Sequence, residues 1–233
     1  MSGNSRELGA TADSPGLHEV NTGPLRYLLS IPSSAPAAAD LFPVLVFLHG
    51  YDEAAPRSLR QALTLHGPLR PGSAPQAVGR FLVVAPQLPA RIGDVWHRFA
   101  DAVMRIAAEE QQTHRGDPQR TYLTGFSFGA NGVFDLALAQ TDFWAALWPV
   151  DPTRVPRTDP RRPVWLSLGQ VSRPLTAKLI AALRLKPAGT VEAEAGDRLY
   201  LDAGQDHVGS AAFAYRDDRI YDWILSKRLA SPP

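Results

Sequence analysis

Ser127 sits at the centre of Gly125-Phe126-Ser127-Phe128-Gly129. A serine hydroxyl attacks a carbonyl carbon only when a base takes its proton and fixed donors receive the oxyanion that forms. The chain has six histidines to offer as that base: His18, His49, His66, His97, His114 and His207. His18 lies in a polar N-terminal stretch, His66 in a Gly/Pro-rich loop and His97 near a helix start. His114 falls in the polar turn His114-Arg115-Gly116-Asp117-Pro118. These four read as solvated or satisfied side chains. His207 follows the last apolar run after a short loop, Ala203-Gly204-Gln205-Asp206. His49-Gly50 closes a different run, Val44-Leu45-Val46-Phe47-Leu48. Gly50 lets the backbone turn there, so that the next N–H, on Tyr51, faces an acyl oxygen; the second donor is the N–H of Phe128, directly after the serine. His49 is then a residue that shapes the loop.

The elements that must position these groups follow from hydrophobic period. Arg120 to Thr124 reads as a buried strand before the serine turn. After it, Val133, Phe134, Ala137 and Leu138 recur at helical spacing. Strand, G-x-S-x-G, helix is the context of a nucleophile elbow, in which small residues let strand and helix approach closely around a strained serine. The plain alternative is a Gly-rich turn carrying a surface serine. Further strands are expected at 25–31, 44–48, 81–85, 145–150, 164–168 and 198–202, with helices at 58–65, 95–111, 175–185 and 212–229. Strands alternating with helices predict an α/β fold, a mostly parallel central sheet with helices on both faces and a minimal lid. Chemistry in such sheets gathers at the carboxyl ends of strands. His49, Pro86, Ser127, Asp151, Gly169 and the loop before His207 all fall at such ends.

The 233 residues suffice for one domain, placed at 21–233, behind a tail over 1–20 that is rich in Ser, Gly, Ala and Asp and expected to be mobile. A net charge of +1 excludes a global pull toward nucleic acid or anionic lipid. The absence of cysteine excludes disulfides, thiolate metal sites and a cysteine nucleophile. No metal or cofactor is called for. No signal-like or membrane-spanning run is present, so the expected location is cytoplasmic and the expected partner a small-molecule acyl substrate.

Five stretches together resemble α/β-hydrolases of the esterase, polyhydroxybutyrate-depolymerase-like and predicted-peptidase group. They are Leu45–Gly50, Val83–Gln87, Arg120–Gly129, Phe143–Val150 and Tyr221–Ser226. The resemblance covers most of residues 25–230, in the family's order. It implies serine hydrolase chemistry on an ester, thioester or amide, and it makes His207 the base, since the family runs in the order serine, acid, histidine.

The family's acid position is where this chain departs. The usual G-x-x-D reads here Gly169-Gln170-Val171-Ser172, and a serine cannot offset an imidazolium charge. Three repairs are open. Asp151, at the end of the strand after the nucleophile helix, is placed first. Asp206 or Asp202 lies near His207 in sequence. Or Ser127 and His207 act as a dyad. On this reading Ser172→Ala should cost little. The altered acid position also motivates a second function, a biosynthetic lyase, acyltransferase or cyclase on the same Ser–His site. A third is a binding protein on a hydrolase scaffold. Phe126, Phe128, Tyr51, Trp96 and Trp148 are candidates for an apolar wall around the site, or for core.

Overall fold

The structure, a computed structural model, describes residues 15–33 and 41–230. β3 (Phe42–Leu48) shows how the sequence builds its sheet. Val44, Val46 and Leu48 join the apolar layer on one face, Leu45 and Phe47 the layer on the other, and all five are fully buried. A strand covered on both faces therefore reads as an unbroken apolar run.

The other strands are β1 (Gly16–Val20), β2 (Tyr27–Ile31), β4 (Leu82–Pro86), β5 (Gly116–Phe126), β6 (Ala146–Val150), β7 (Val164–Leu168), β8 (Lys186–Pro187) and β9 (Arg198–Asp202). They form one sheet among the described residues, in the order β1-β2-β4-β3-β5-β6-β7-β9-β8. β1 and β2 pair antiparallel, as do β2 and β4; every later pairing is parallel. The sheet is thus mixed and mostly parallel, as expected. One expectation fails at the N-terminus. Gly16 to Val20, read as part of a mobile tail, form β1 and pair with Ile31 through Tyr27. The signal is weak because an edge strand needs only one apolar face, and its hydrogen bonds come from a distant partner. The rest of that tail, 1–14, lies outside the described residues, as does most of the Ser/Ala/Pro connection before β3.

Helices cover both faces. α3 (Ala100–Thr113), α4 (Phe128–Ala139) and α5 (Thr176–Leu183) pack Val103, Ile106, Val133, Phe134, Leu179 and Leu183 against one side. α1 (Leu59–Leu63), α2 (Pro75–Val78), α7 (His207–Ala214) and α8 (Asp218–Leu225) pack on the other; α6 (Val191–Glu194) is a short exposed turn. The last helix was expected as one element over 212–229 and is two. Asp206 caps α7 by accepting the Gly209 N–H, and Asp217 caps α8 by accepting that of Arg219. Each cap fixes a start that periodicity does not show. Trp148 is wholly buried against Tyr215 and Tyr221, with ring centroids 4.8 and 5.0 Å away. Burying such a side chain contributes about 2–3 kcal/mol, which makes Trp148 a core residue. Among the described residues no helix is long and apolar enough to cross a membrane.

Candidate active site

The elbow is built by contact distances that glycine alone satisfies. A Cβ on Gly129 would lie 1.9 Å from the Leu48 carbonyl oxygen, and one on Gly125 would lie 2.4 Å from the Gly129 oxygen. The two glycines thus let β5, α4 and the end of β3 close on one another. Between them Ser127 adopts φ 58°, ψ −120°, a conformation costly for a side chain. Its N–H donates to the Val150 carbonyl at 3.0 Å, which ties the turn to the end of β6. The hydroxyl is left at the N-terminus of the twelve-residue α4.

His207 is the first residue of α7, and its Nε2 lies 3.0 Å from Ser127 Oγ. Its Nδ1 lies 2.6 Å from Asp151 Oδ2. The imidazole packs on Phe126, ring centroids 4.6 Å apart. Asp151 is completely buried at the end of β6, with φ 46°, a left-handed conformation that aspartate tolerates better than most residues. The structure therefore brings Ser127, His207 and Asp151 into one hydrogen-bonded line. The other carboxylates weighed for this position are engaged elsewhere. Asp206 caps α7, and Asp202 receives Nε and Nη2 of Arg173 at 2.7 and 2.9 Å and the Gly204 N–H at 2.8 Å.

Ser172 has a role that the sequence reading denied it. Its N–H and its hydroxyl both donate to Asp151 Oδ1, at 2.7 and 2.6 Å, and the Val171 N–H donates to Oδ2 at 3.3 Å. The residue standing where the family carries its acid thus holds the carboxylate that reaches in from the neighbouring strand. Gly169 leaves the room, since a Cβ there would lie 2.5 Å from Asp151 Oδ2. Burial alone would raise the pKa of Asp151. The bonds from His207 and Ser172 outweigh it and keep the carboxyl below its ordinary value. Asp151 is therefore an anion across the neutral range.

The loop after β3 forms a single 3-10 turn, Tyr51–Glu53. Tyr51 is the first residue of that turn and Phe128 the first of α4, so neither N–H has a partner within its own helix. Gly50 keeps the loop close to the serine: a Cβ there would meet Ser127 Cβ at 3.3 Å. His49 is fully buried and shapes this loop, as read from sequence. Its Nε2 accepts the Leu88 N–H at 2.9 Å, its Nδ1 lies 2.5 Å from the Gly50 oxygen, and its carbonyl accepts Trp96 Nε1–H at 3.0 Å. Burial pushes its pKa down to about 4, so it stays neutral.

Of the wall candidates, Tyr51 is exposed and stacks edge-on against Phe128, centroids 6.0 Å apart, and Phe126 lies under His207. Trp96 and Trp148 are fully buried and belong to the core. His66, read as a loop residue, packs on Phe126 at 5.3 Å, in the row that leads to His207. Burial, the Arg70 charge and His207 together press its pKa down to about 4. Its Gly/Pro-rich surroundings hid this, because the contact is made across the fold. A further network fixes the chain beyond Asp151. Asn131 on α4 donates to Asp94 and Thr153, and Arg154 bridges Asp94 and Asp135 at 2.8 and 2.5 Å.

Solved structures share this arrangement of strands and helices. A thermostable esterase matches with TM-score 0.66 at 20% identity, covering 91% of this chain and 62% of its own. The chain thus spans less than two thirds of that protein. A fluorophosphonate-binding serine hydrolase of Staphylococcus aureus matches with TM-score 0.62 at 12% identity over 91% of this chain and 99% of that one. The fold is that of the α/β-hydrolases. A feruloyl esterase module from Clostridium thermocellum, complexed with sinapinate, matches this α/β-hydrolase fold with TM-score 0.63 at 10% identity, over 91% and 89% of the two chains. Neither a protein-family model nor a curated protein sequence matches the chain.

Proposed function

We propose that this protein is a serine hydrolase that cleaves an ester, thioester or amide through an acyl-enzyme. The observation that carries the reading is the line Ser127 Oγ, His207, Asp151, with gaps of 3.0 and 2.6 Å. In this mechanism Nε2 of neutral His207 takes the Ser127 proton as Oγ attacks the carbonyl carbon. The negative charge moves to the carbonyl oxygen, which the N–H groups of Tyr51 and Phe128 receive. Asp151, held ionised by Ser172, orients the imidazole and balances the imidazolium. His207 then protonates the leaving group. Water, activated by the same imidazole, releases the acid and restores the serine. The lyase, acyltransferase or cyclase alternative rests on a missing acid, and Asp151 at 2.6 Å from His207 supports hydrolysis over it.

A fluorophosphonate probe and p-nitrophenyl acetate test the proposal. The wild type should label once and turn over the ester. Ser127→Ala should do neither while keeping its circular dichroism spectrum. Undiminished labelling of the alanine variant would place the nucleophile elsewhere.

A further inference from the structure

Glu53 ends the 3-10 turn that carries the Tyr51 N–H, and it is only 2% exposed. Glutamate is rarely so buried without a cation to pair with. Its Oε2 lies 3.1 Å from the point a Gly50 Cβ would occupy, and Ser127 Cβ lies 3.3 Å from that same point. The carboxyl and the nucleophile therefore both lie against Gly50, the residue before the Tyr51 N–H. Its other oxygen, Oε1, is buried and has no hydrogen-bond partner. The residue is anchored through its backbone, since Gln87 Nε2 donates to the Glu53 carbonyl at 2.7 Å and Gln87 is itself held by Arg26 at 2.7 Å.

The electrostatics around it are one-sided. The backbone N–H groups of Glu53 and Gly50 face the carboxyl and favour its charged form, as does Arg57 from the following segment. Asp52 in the same turn opposes charge, and burial opposes it most. Tyr215 is a buried phenol whose own pKa is driven up, chiefly by burial and in smaller part by Glu53. Burial wins, and the carboxyl is pushed up to about 7. Its orphan oxygen is where a proton would reside.

We infer that Glu53 is a positioning residue for the oxyanion loop, which it holds as a neutral acid, and that its ionisation slows acyl transfer. The inference rests on the hydrolase reading above. The neutral carboxyl still faces the N–H groups of Gly50 and Glu53. Once ionised, it sets a negative charge beside the loop whose N–H receives the oxyanion, in a site screened little by water. The ionised form also accepts those N–H bonds more strongly, which would favour loop order. That gain leaves the loop N–H groups where they already are, whereas the added charge opposes the developing oxyanion directly.

The test is kcat for p-nitrophenyl acetate against pH in wild type, Glu53→Gln and Glu53→Ala. Wild-type kcat should decline above neutral pH. Glu53→Gln, isosteric and uncharged, should rescue the loop and lose that decline, ending roughly tenfold or more above wild type at alkaline pH. Glu53→Ala should lose on the order of a hundredfold in kcat with little change in KM, since the loop loses its acceptor. An alkaline limb unchanged in Glu53→Gln, or a folded Glu53→Ala with wild-type kcat, overturns the inference. Infrared spectroscopy gives a readout independent of turnover. A protonated-carboxyl band near neutral pH, present in wild type and missing from Glu53→Gln, supports the neutral acid, and its absence from wild type refutes it. Failure of the hydrolase reading would show separately, as a wild type that does not label with fluorophosphonate.

Discussion

Replacing Asp151 by asparagine should disable the site while leaving its shape intact. The size of the effect follows from which way the amide must turn. Oδ1 now accepts two donors, the Ser172 N–H at 2.7 Å and its hydroxyl at 2.6 Å, whereas Oδ2 accepts the Val171 N–H at a longer 3.3 Å. An asparagine keeps its oxygen on the side of the closer donors, because an NH2 group there would confront the Ser172 N–H. Its nitrogen then takes the place of Oδ2, 2.6 Å from His207 Nδ1. That nitrogen donates, so Nδ1 must accept and the imidazole proton moves to Nε2. Nε2, 3.0 Å from Ser127 Oγ, can no longer take the serine proton. The imidazolium also loses its counter-charge. Loss of the acid in this arrangement costs roughly ten-thousand-fold in kcat, about 5 kcal/mol of transition-state stabilisation. The assay is kcat for p-nitrophenyl acetate together with the rate of fluorophosphonate labelling; both should fall, and circular dichroism should not change. An Asp151→Asn enzyme within tenfold of wild type would refute the reasoning and return the site to a Ser–His dyad. Acidification offers a second reading of the same residue. The folded-state value of Asp151 lies below that of the unfolded chain, so its contribution to stability is present above the ordinary carboxylate range. It is lost as pH falls through the lower, folded value.

Ser172→Ala removes a 2.6 Å hydroxyl donor from a buried carboxylate and leaves the two N–H donors, so kcat should fall roughly tenfold; wild-type kcat would mean the N–H groups suffice. Gly129→Ala forces a Cβ against the Leu48 carbonyl and should abolish soluble, folded protein, as circular dichroism and yield would show. A soluble variant with normal thermal stability would mean that the elbow relaxes more than these distances allow. Glu53→Gln should also raise stability relative to wild type at alkaline pH. Wild type pays no penalty for Glu53 below the ordinary carboxylate value. The penalty grows as pH rises through about 7, reaching on the order of 3 kcal/mol. Equal denaturation midpoints for the two proteins at pH values on both sides of that window would contradict it.

Much of the fold and part of the site are local, and local physics is what a sequence displays. The short unbroken apolar run at 44–48, closed by His49-Gly50, reads as a strand covered on both faces, and it is one. Gly125 and Gly129 flank Ser127 because a Cβ at either would strike backbone, so the elbow is legible wherever strand and helix flank it. His49 and Gly50 are legible for the same reason, as the end of such a strand. What the sequence could not decide was which carboxylate meets His207. Asp206 is adjacent to His207 and Asp202 lies only five positions away, yet the one caps α7 and the other pairs with Arg173. Asp151 is 56 positions away and arrives because β6 lies beside β5 in the sheet. Ser172 looked like a vacated acid position because its partner reaches it from another strand, 21 residues distant. The same limit hid β1, whose hydrogen bonds are supplied by β2. It hid His66, which meets the site only through Phe126. It hid Glu53 as well, whose residue type predicts exposure and whose burial is conferred by the fold. Residue type and spacing specify the turn that a segment can make. Which buried charge is paired, and which is left alone, depends on the order in which the strands lie side by side.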